Sequence, residues 1–496
     1  MQSLCETHYT FAYRFNSALC QFSVIIKKSL AFLLARGVPG LINLLTISAY
    51  TRLVSPEIYG QYSFSLAFIT LAMTICFQWL QFGLLRFYHG KDIEQKVLLS
   101  TILFAFVLLS CTILPVFISI IQLIQADFTI TILSYIFLLS LILSFFNIHL
   151  QIPVANGWSI AYGIQSSVKS ALGLLLGILF IYLGYGLNGL FLALIIAHLL
   201  PVAWSFPKYW RHISWRFIDK RLLKSLFVYG LPLSGTLMMN MMINNSDRIM
   251  LSWLKGNEYT GLYSAVYDLT NFSLIIIMMA VNLAIYPLII KAYENKDNDT
   301  TRLLIKQNLI ALMLISLPLL LMFLILPHQL SDLLLGQQFR EVGTDIMPII
   351  GIATFIWGIK AFYFDLPFLL SHKTLSLLII GVLGMVLNII LNYVLIPTYG
   401  IEGAAYATLI TTSAVLIITS IWSQIISPLP LPVREVLKIS AMGMVIAILL
   451  WAGNRFFYSN IVINSLATVF LFTLGVYLLN LLDFRQHVDQ FLKLKK

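Results

Sequence analysis

The chain has 496 residues, 59% of them hydrophobic and only 10% charged, with a mean hydropathy of +0.91. A soluble domain carries roughly a quarter charged residues, so these charges cannot cover a water-facing surface, whereas a hydrocarbon-facing surface needs none. The net charge of +11 fits the Lys/Arg bias of cytoplasmic loops and requires no nucleic-acid partner.

A helix crossing a bilayer takes about 20 apolar residues. About fourteen candidate spans follow one another, near 29–51, 62–85, 97–118, 128–150, 159–183, 187–206, 226–253, 262–289, 304–326, 345–370, 374–396, 401–424, 436–453 and 460–482. The thirteenth is short and the fourth ends in a polar stretch. The predicted fold is an all-α polytopic membrane protein. The longest loops run to about twenty residues, too short for a soluble catalytic domain. No P-loop, HExxH or nucleophile elbow is present, so an enzyme is not expected.

Residues 1–28 precede the first span and are rich in Phe and Tyr, as suits a segment along the membrane surface. They lack a signal-peptide core and cleavage site, so the first span is expected to stay as an anchor. With the N-terminus inside, cytoplasmic loops hold Lys91, Lys96, the cluster Lys208, Arg211, Arg216, Lys220, Arg221, Lys224, then Lys291, Lys296, Arg302, Lys306, Lys373, Arg434 and Lys438. External loops hold only Arg52, Lys255, Arg340 and Arg455. This asymmetry places both ends in the cytoplasm. Cys5, Cys20, Cys76 and Cys111 show no metal or disulfide spacing and read as inert thiols.

Two passages recur. PEIYGQYS (56–63) matches NEYTGLYS (257–264) at an offset of 201, and YGLNG (185–189) matches YGIEG (399–403) at an offset of 214. They fall at corresponding places in two six-helix lobes, 29–222 and 223–425, leaving 426–496 as two appended helices and a basic tail. An even helix count per repeat keeps both lobes in one orientation around a central cavity, a recurrent transporter plan.

Charged and amide side chains at membrane depth are costly unless they face protein or water. Stripes at helical spacing are Thr70, Thr74, Gln78, Gln81, with Arg86; Thr236, Asn240, Asn244, Asp247, with Arg248; Ser264, Asp268, Asn271; Asn388 and Asn392; and Arg36 with Asn43. Asn43 and Asn244 are equivalent at the 201 offset. Lys169, Lys360 and Asp365 lie inside further spans. Amides and hydroxyls in membrane helices also bond across helix pairs, and cations near span ends snorkel. The surplus of deep cations suits an anionic cargo such as a diphosphate. Candidate cargo-binding residues are Arg36, Asn43, Arg86, Lys169, Asn240, Asn244, Arg248 and Lys360. Asp247, Asp268 and Asp365 are candidate sites for a coupling ion, H+ or Na+; no other cofactor and no metal site is expected. Gly37, Pro39, Gly40, Gly230, Pro232 and Gly235 make the first and seventh spans bendable.

The run from Arg36 through LVSPEIYGQYSF resembles the opening of polysaccharide transporters of the multidrug/oligosaccharidyl-lipid/polysaccharide exporter superfamily. Residues 229–272, YGLPLSGTLMMNMMINNSDRIMLSWLKGNEYTGLYSAVYDLTNF, and 399–410, YGIEGAAYATLI, are similar too. The resemblance implies a Wzx-type flippase of the bacterial inner membrane. Such proteins move undecaprenyl-diphosphate-linked oligosaccharide for O-antigen, capsule or exopolysaccharide by alternating access coupled to an ion gradient. The implied partners are the lipid-linked oligosaccharide, membrane lipid and other polysaccharide-assembly proteins. Related lipid II flippases hold the diphosphate with cavity arginines, a role that passes here to Arg36, Arg86 and Arg248. The alternatives are a multidrug and toxic-compound extruder and a membrane-embedded glycan polymerase or transferase.

Overall fold

The computed structural model describes residues 35, 37–90, 93–124, 129–456 and 461–479. The expected surface segment 1–28, Arg36, Lys91, Cys5, Cys20 and the basic tail lie outside the described residues.

Among the described residues the chain is helical, without strands. In lipid a helix satisfies its own backbone groups, so apolar runs become helices and polar loops mark their ends. We number them α1 (37–53), α2 (Pro56–Phe87), α3 (Gln95–Ile124), α4 (Ile130–Ala155), α5 (Ser159–Tyr182), α6 (Gly186–Trp210), α7 (Lys220–Lys255), α8 (Asn257–Glu294), α9 (Asn298–Ile325), α10 (Gln337–Leu370), α11 (374–399), α12 (401–426), α13 (Val433–Phe456) and α14 (Ile461–Leu478). Among the described residues, ten helical runs are long and apolar enough to cross a membrane, and α7 makes an eleventh as a bent pair. The run Thr374–Ile426 holds both α11 and α12, which meet at Gly400.

Side-chain caps set several starts. Ser55 accepts from the Ile58 N–H ahead of Pro56, Thr129 from Ile132, and Asp219 from Arg221 and Leu222. α7 bends by 41° between Gly235 and Leu237, just past the Gly230–Pro232 pair that marked it as bendable. The YGLNG/YGIEG repeat has a backbone cause. Gly186 and Gly400 both take positive φ, +51° and +58°, a conformation that costs a residue with a Cβ.

Polarity is inverted relative to a soluble protein. Leu41, Leu175, Trp204, Leu375, Met444 and Leu466 are exposed, while Asp247, Asn388 and Asn392 are fully buried. Such a surface suits hydrocarbon. In the first half α5 packs on α6, and α4 on α2 and α6; in the second, α8 packs on α9 and α10, and α7 on α11–α12. α13 and α14 pack on each other and on α9, outside this arrangement. The halves meet along α2, which runs against α7 and α8.

Candidate functional site

The seam between the halves is built from glycines. Where α2 crosses α8, a Cβ on Gly60 would fall 1.8 Å from the Asn257 carbonyl oxygen, and one on Gly261 would fall 1.9 Å from that of Pro56. These are the equivalent glycines of the 56–63/257–264 repeat, so the repeat is the contact itself: two backbones touching where any side chain would part them. Nearby, the Gly336 N–H donates to Thr51 Oγ1 (3.1 Å), the Arg52 guanidinium donates to the Leu333 carbonyl, and Tyr59 packs edge-on against Phe339. At the opposite end, where the Lys/Arg-rich loops lie, α2 meets α7. There a Cβ on Gly230 would fall 2.3 Å from the Trp79 carbonyl oxygen, and Gly83 abuts Leu226. The seam is therefore closed at both ends.

Just inside the Gly60–Gly261 crossing lies a buried polar network. Asp247 on α7 accepts three neutral donors: the Tyr263 hydroxyl from α8 (2.7 Å), the Asn392 amide from α11 (2.6 Å) and the Thr408 hydroxyl from α12 (2.6 Å). Asn392 also donates to Asn388 Oδ1 (3.0 Å), which accepts from Ser246 as well (2.5 Å). Asn392 Oδ1 and Asn388 Nδ2 stay buried without a hydrogen-bond partner among the described residues. Arg248, the next residue, points across the seam. It pairs with Asp268 on α8, donates through Nη1 to Ser63 Oγ on α2 (3.1 Å) and lies over the Tyr267 ring (5.5 Å). One helix thus offers a carboxylate to its own half and a cation to the seam.

A second charged pair is local. Lys360 donates to Asp365 (3.0 Å), and both side chains are almost buried. Residues Lys360–Phe364 form a π-helical turn, whose wider winding brings positions five apart onto one side. The pair and Asn240 line a small cavity of about 60 Å³ between α7, α10, α11 and α12.

Several expectations change. Arg248 and Lys360, predicted as cargo-binding cations, have carboxylate partners, and two of the predicted ion-coupling groups, Asp268 and Asp365, are those partners. Lys169 is on α5 in the other half and does not line the cavity of Lys360; among the described residues it has no ion pair. The two lysines therefore do not share that chamber. Thr70 and Thr74, read as a polar stripe, turn their hydroxyls back to carbonyls of their own helix, while Gln81 is buried and accepts from Gln151 (3.3 Å). Arg86 is exposed, with its guanidinium 5.8 Å from the Tyr229 ring centroid. Asn43 and Asn244 are half-buried, and Asn244 accepts from the Tyr267 hydroxyl (3.4 Å). The sequence reading missed Tyr263, Thr408 and Ser63. All three stood within the recurring or family-like passages, where they served as markers and not as partners.

A third feature lies on the outside of the seam. A groove of about 460 Å³ runs between α2, α7 and α11, walled by Leu71, Met242, Ile249, Trp253 and Ile390, with Ser246 as its polar contact. Ser246 is the residue that bonds Asn388, so an apolar opening backs directly onto the Asp247 network.

Comparison with known proteins agrees with this architecture. Residues 25–293 match the family described as polysaccharide biosynthesis protein, and residues 232–394 match the MatE family. Among solved structures, the lipid II flippase MurJ in an inward closed conformation superposes with a TM-score of 0.74 at 15% identity, covering 91% of this chain and 99% of that one. An inward-facing MATE multidrug transporter of the MOP superfamily gives 0.61 at 14% identity, covering 79% and 97%. A MOP-superfamily transporter from Pyrococcus furiosus gives 0.55 at 16% identity, covering 81% and 94%. No curated protein matches by sequence. These likenesses show the fold, while the family match spans more than half the chain and contains the glycine seam: the chain belongs to the polysaccharide biosynthesis protein family, multi-pass membrane proteins with the fold of the MOP-superfamily transporters.

Proposed function

We propose that this chain is a flippase that carries a polyprenyl-diphosphate-linked oligosaccharide across the bacterial inner membrane by alternating access. The observation that carries the reading is the pairing of the apolar groove with the polar network behind it. An amphiphile with a long tail and a sugar head needs such a route, the tail staying in lipid while the head moves past groups that can replace water. In this reading Arg36, Arg86 and Lys169 supply charge to the diphosphate, with Asn43, Asn240 and Asn244 facing the glycan. The seam glycines form the crossing about which the halves part.

Asp247 is the site for the coupling ion, H+ or Na+. It is a fully buried carboxylate with only neutral partners, and the unpartnered Asn392 Oδ1 beside it adds a second oxygen of the kind a hard cation takes. The multidrug alternative has less support. A cation cargo wants an open carboxylate, and Asp268 and Asp365 are engaged by Arg248 and Lys360.

A strain lacking the gene tests the reading. It should accumulate lipid-linked oligosaccharide on the cytoplasmic face and lose surface polysaccharide, with unchanged susceptibility to cationic drugs. Normal polysaccharide together with heightened drug sensitivity would favour the extruder.

A further inference from the structure

At the basic end of the first half, the ends of α2 to α6 frame a cavity of about 500 Å³. It is separate from the seam and from the Asp247 network. Trp158 and Tyr209 stack there with ring centroids 6.2 Å apart and planes at 29°. The Lys208 ammonium sits 4.8 Å from the Trp158 centroid and 5.7 Å from that of Tyr209. Among the described residues no carboxylate pairs with Lys208. The other lysine of the cavity, Lys96, is neutralised by Glu94 at 2.7 Å. The net result is one cation fixed over two rings, with its remaining N–H donors free for an acceptor.

Two amides complete the wall. Gln95 is exposed, and Asn156 is held in place by donating to Tyr88 Oη (3.0 Å) and to the Ile152 carbonyl (2.9 Å), which leaves its Oδ1 as an acceptor. Trp158 keeps 42% of its surface exposed. A half-open indole takes the C–H face of a pyranose, amides both donate to and accept from hydroxyls, and a lone ammonium takes one anionic group. We propose that this cavity binds an acidic sugar unit, a pyranose bearing a single carboxylate, with Trp158 and Tyr209 as the platform and Lys208 as the charge contact. The assignment stands apart from the flippase reading, since it requires binding alone.

The test is saturation-transfer NMR on the full chain in neutral phosphatidylcholine nanodiscs, with methyl glucuronide, methyl glucoside and inorganic phosphate as probes. The glucuronide should give a signal about 5-fold or more above the glucoside, and Trp158→Ala or Lys208→Met should each lower it by about 5-fold. Trp204→Ala, on the lipid-facing side of α6, should leave it unchanged. Lys208 is exposed, so Lys208→Glu should fold and abolish the preference for the acid. Equal signals from the two sugars, or a glucuronide signal that survives Trp158→Ala and Lys208→Glu, would overturn the proposal. Displacement by phosphate at the same concentration as by the sugar acid would show a headgroup site instead, and would also overturn it.

Discussion

In the second half, deep charges meet partners from their own chain: Arg248 has Asp268, Lys360 has Asp365, and Asp247 has three neutral donors. The first half is built otherwise. Between Gln95 and Trp210 the sequence holds one acidic residue, Asp127, so Lys169 on α5 has no carboxylate on the helices around it. The buried polar groups there are neutral. His149 accepts from Trp210 Nε1 (2.8 Å) and meets Ser205 through Nε2 (2.7 Å), while Ser166 Oγ, Ser170 Oγ and Gln165 Oε1 have no partner among the described residues. The two halves thus differ in how they hold charge. One holds two buried ion pairs and a carboxylate with neutral donors, while in the other Lys169 has no ion pair among the described residues.

The contrast can be broken at its strongest point. Asp268→Leu strands Arg248 as a buried cation and should cost about 3–5 kcal/mol, read as a lowered thermal midpoint in detergent. Combining it with Arg248→Met should restore most of that loss, because a buried pair replaced by apolar groups is close to neutral. A double variant no more stable than the single would mean that the pair is not the reason these residues are buried.

The seam comes next. Gly60→Ala or Gly261→Ala forces a methyl onto a backbone carbonyl and should disfavour the closed crossing by about 1–3 kcal/mol. Spin labels on α2 and α8 should then report a wider separation at that end. An unchanged separation would separate the repeat from any gating role.

Lys169 sharpens the comparison from the other side. With no ion pair to lose, Lys169→Met should leave the thermal midpoint unchanged or slightly raised, while transport falls by about 10-fold, the worth of one charge-assisted contact. Lys360→Met should do the reverse, lowering stability by several degrees because it orphans Asp365. If the two lysines exchanged these behaviours, the assignment of roles to the halves would be inverted. The smallest effect belongs to Thr70→Val. Its hydroxyl bonds only its own helix, so stability should move by about 0.5 kcal/mol or less.

Much of this was legible before any coordinates. Hydropathy located the helices, because only continuous apolar runs can satisfy the backbone in lipid. The 56–63/257–264 match pointed only to corresponding places in two lobes; that its Gly60 and Gly261 touch backbone to backbone depends on how α2 and α8 cross, which spacing along the chain does not reveal. Asp247 and Asn392 stood out as polar residues at depth. Their partners could not be read, because the network joins four helices spread over 162 residues from Asp247 to Thr408. The Lys360–Asp365 pair was hidden for a local reason. In an α-helix positions five apart differ by about 140°, and only the π-helical turn brings them together. Thr70 and Thr74 kept the right spacing for a stripe, yet a hydroxyl that can reach its own i−4 carbonyl satisfies itself there.

The most direct measurement is leaflet transfer. Purified chain would be reconstituted into sealed vesicles containing a fluorescent polyprenyl-diphosphate-linked glycan, with a membrane-impermeant reductant quenching the label on the outer face. The account predicts protein-dependent exposure of the inner-leaflet label, accelerated by an imposed ion gradient and lost in Asp247→Asn. Vesicles in which the label stays protected while a cationic dye is moved against its gradient would contradict it.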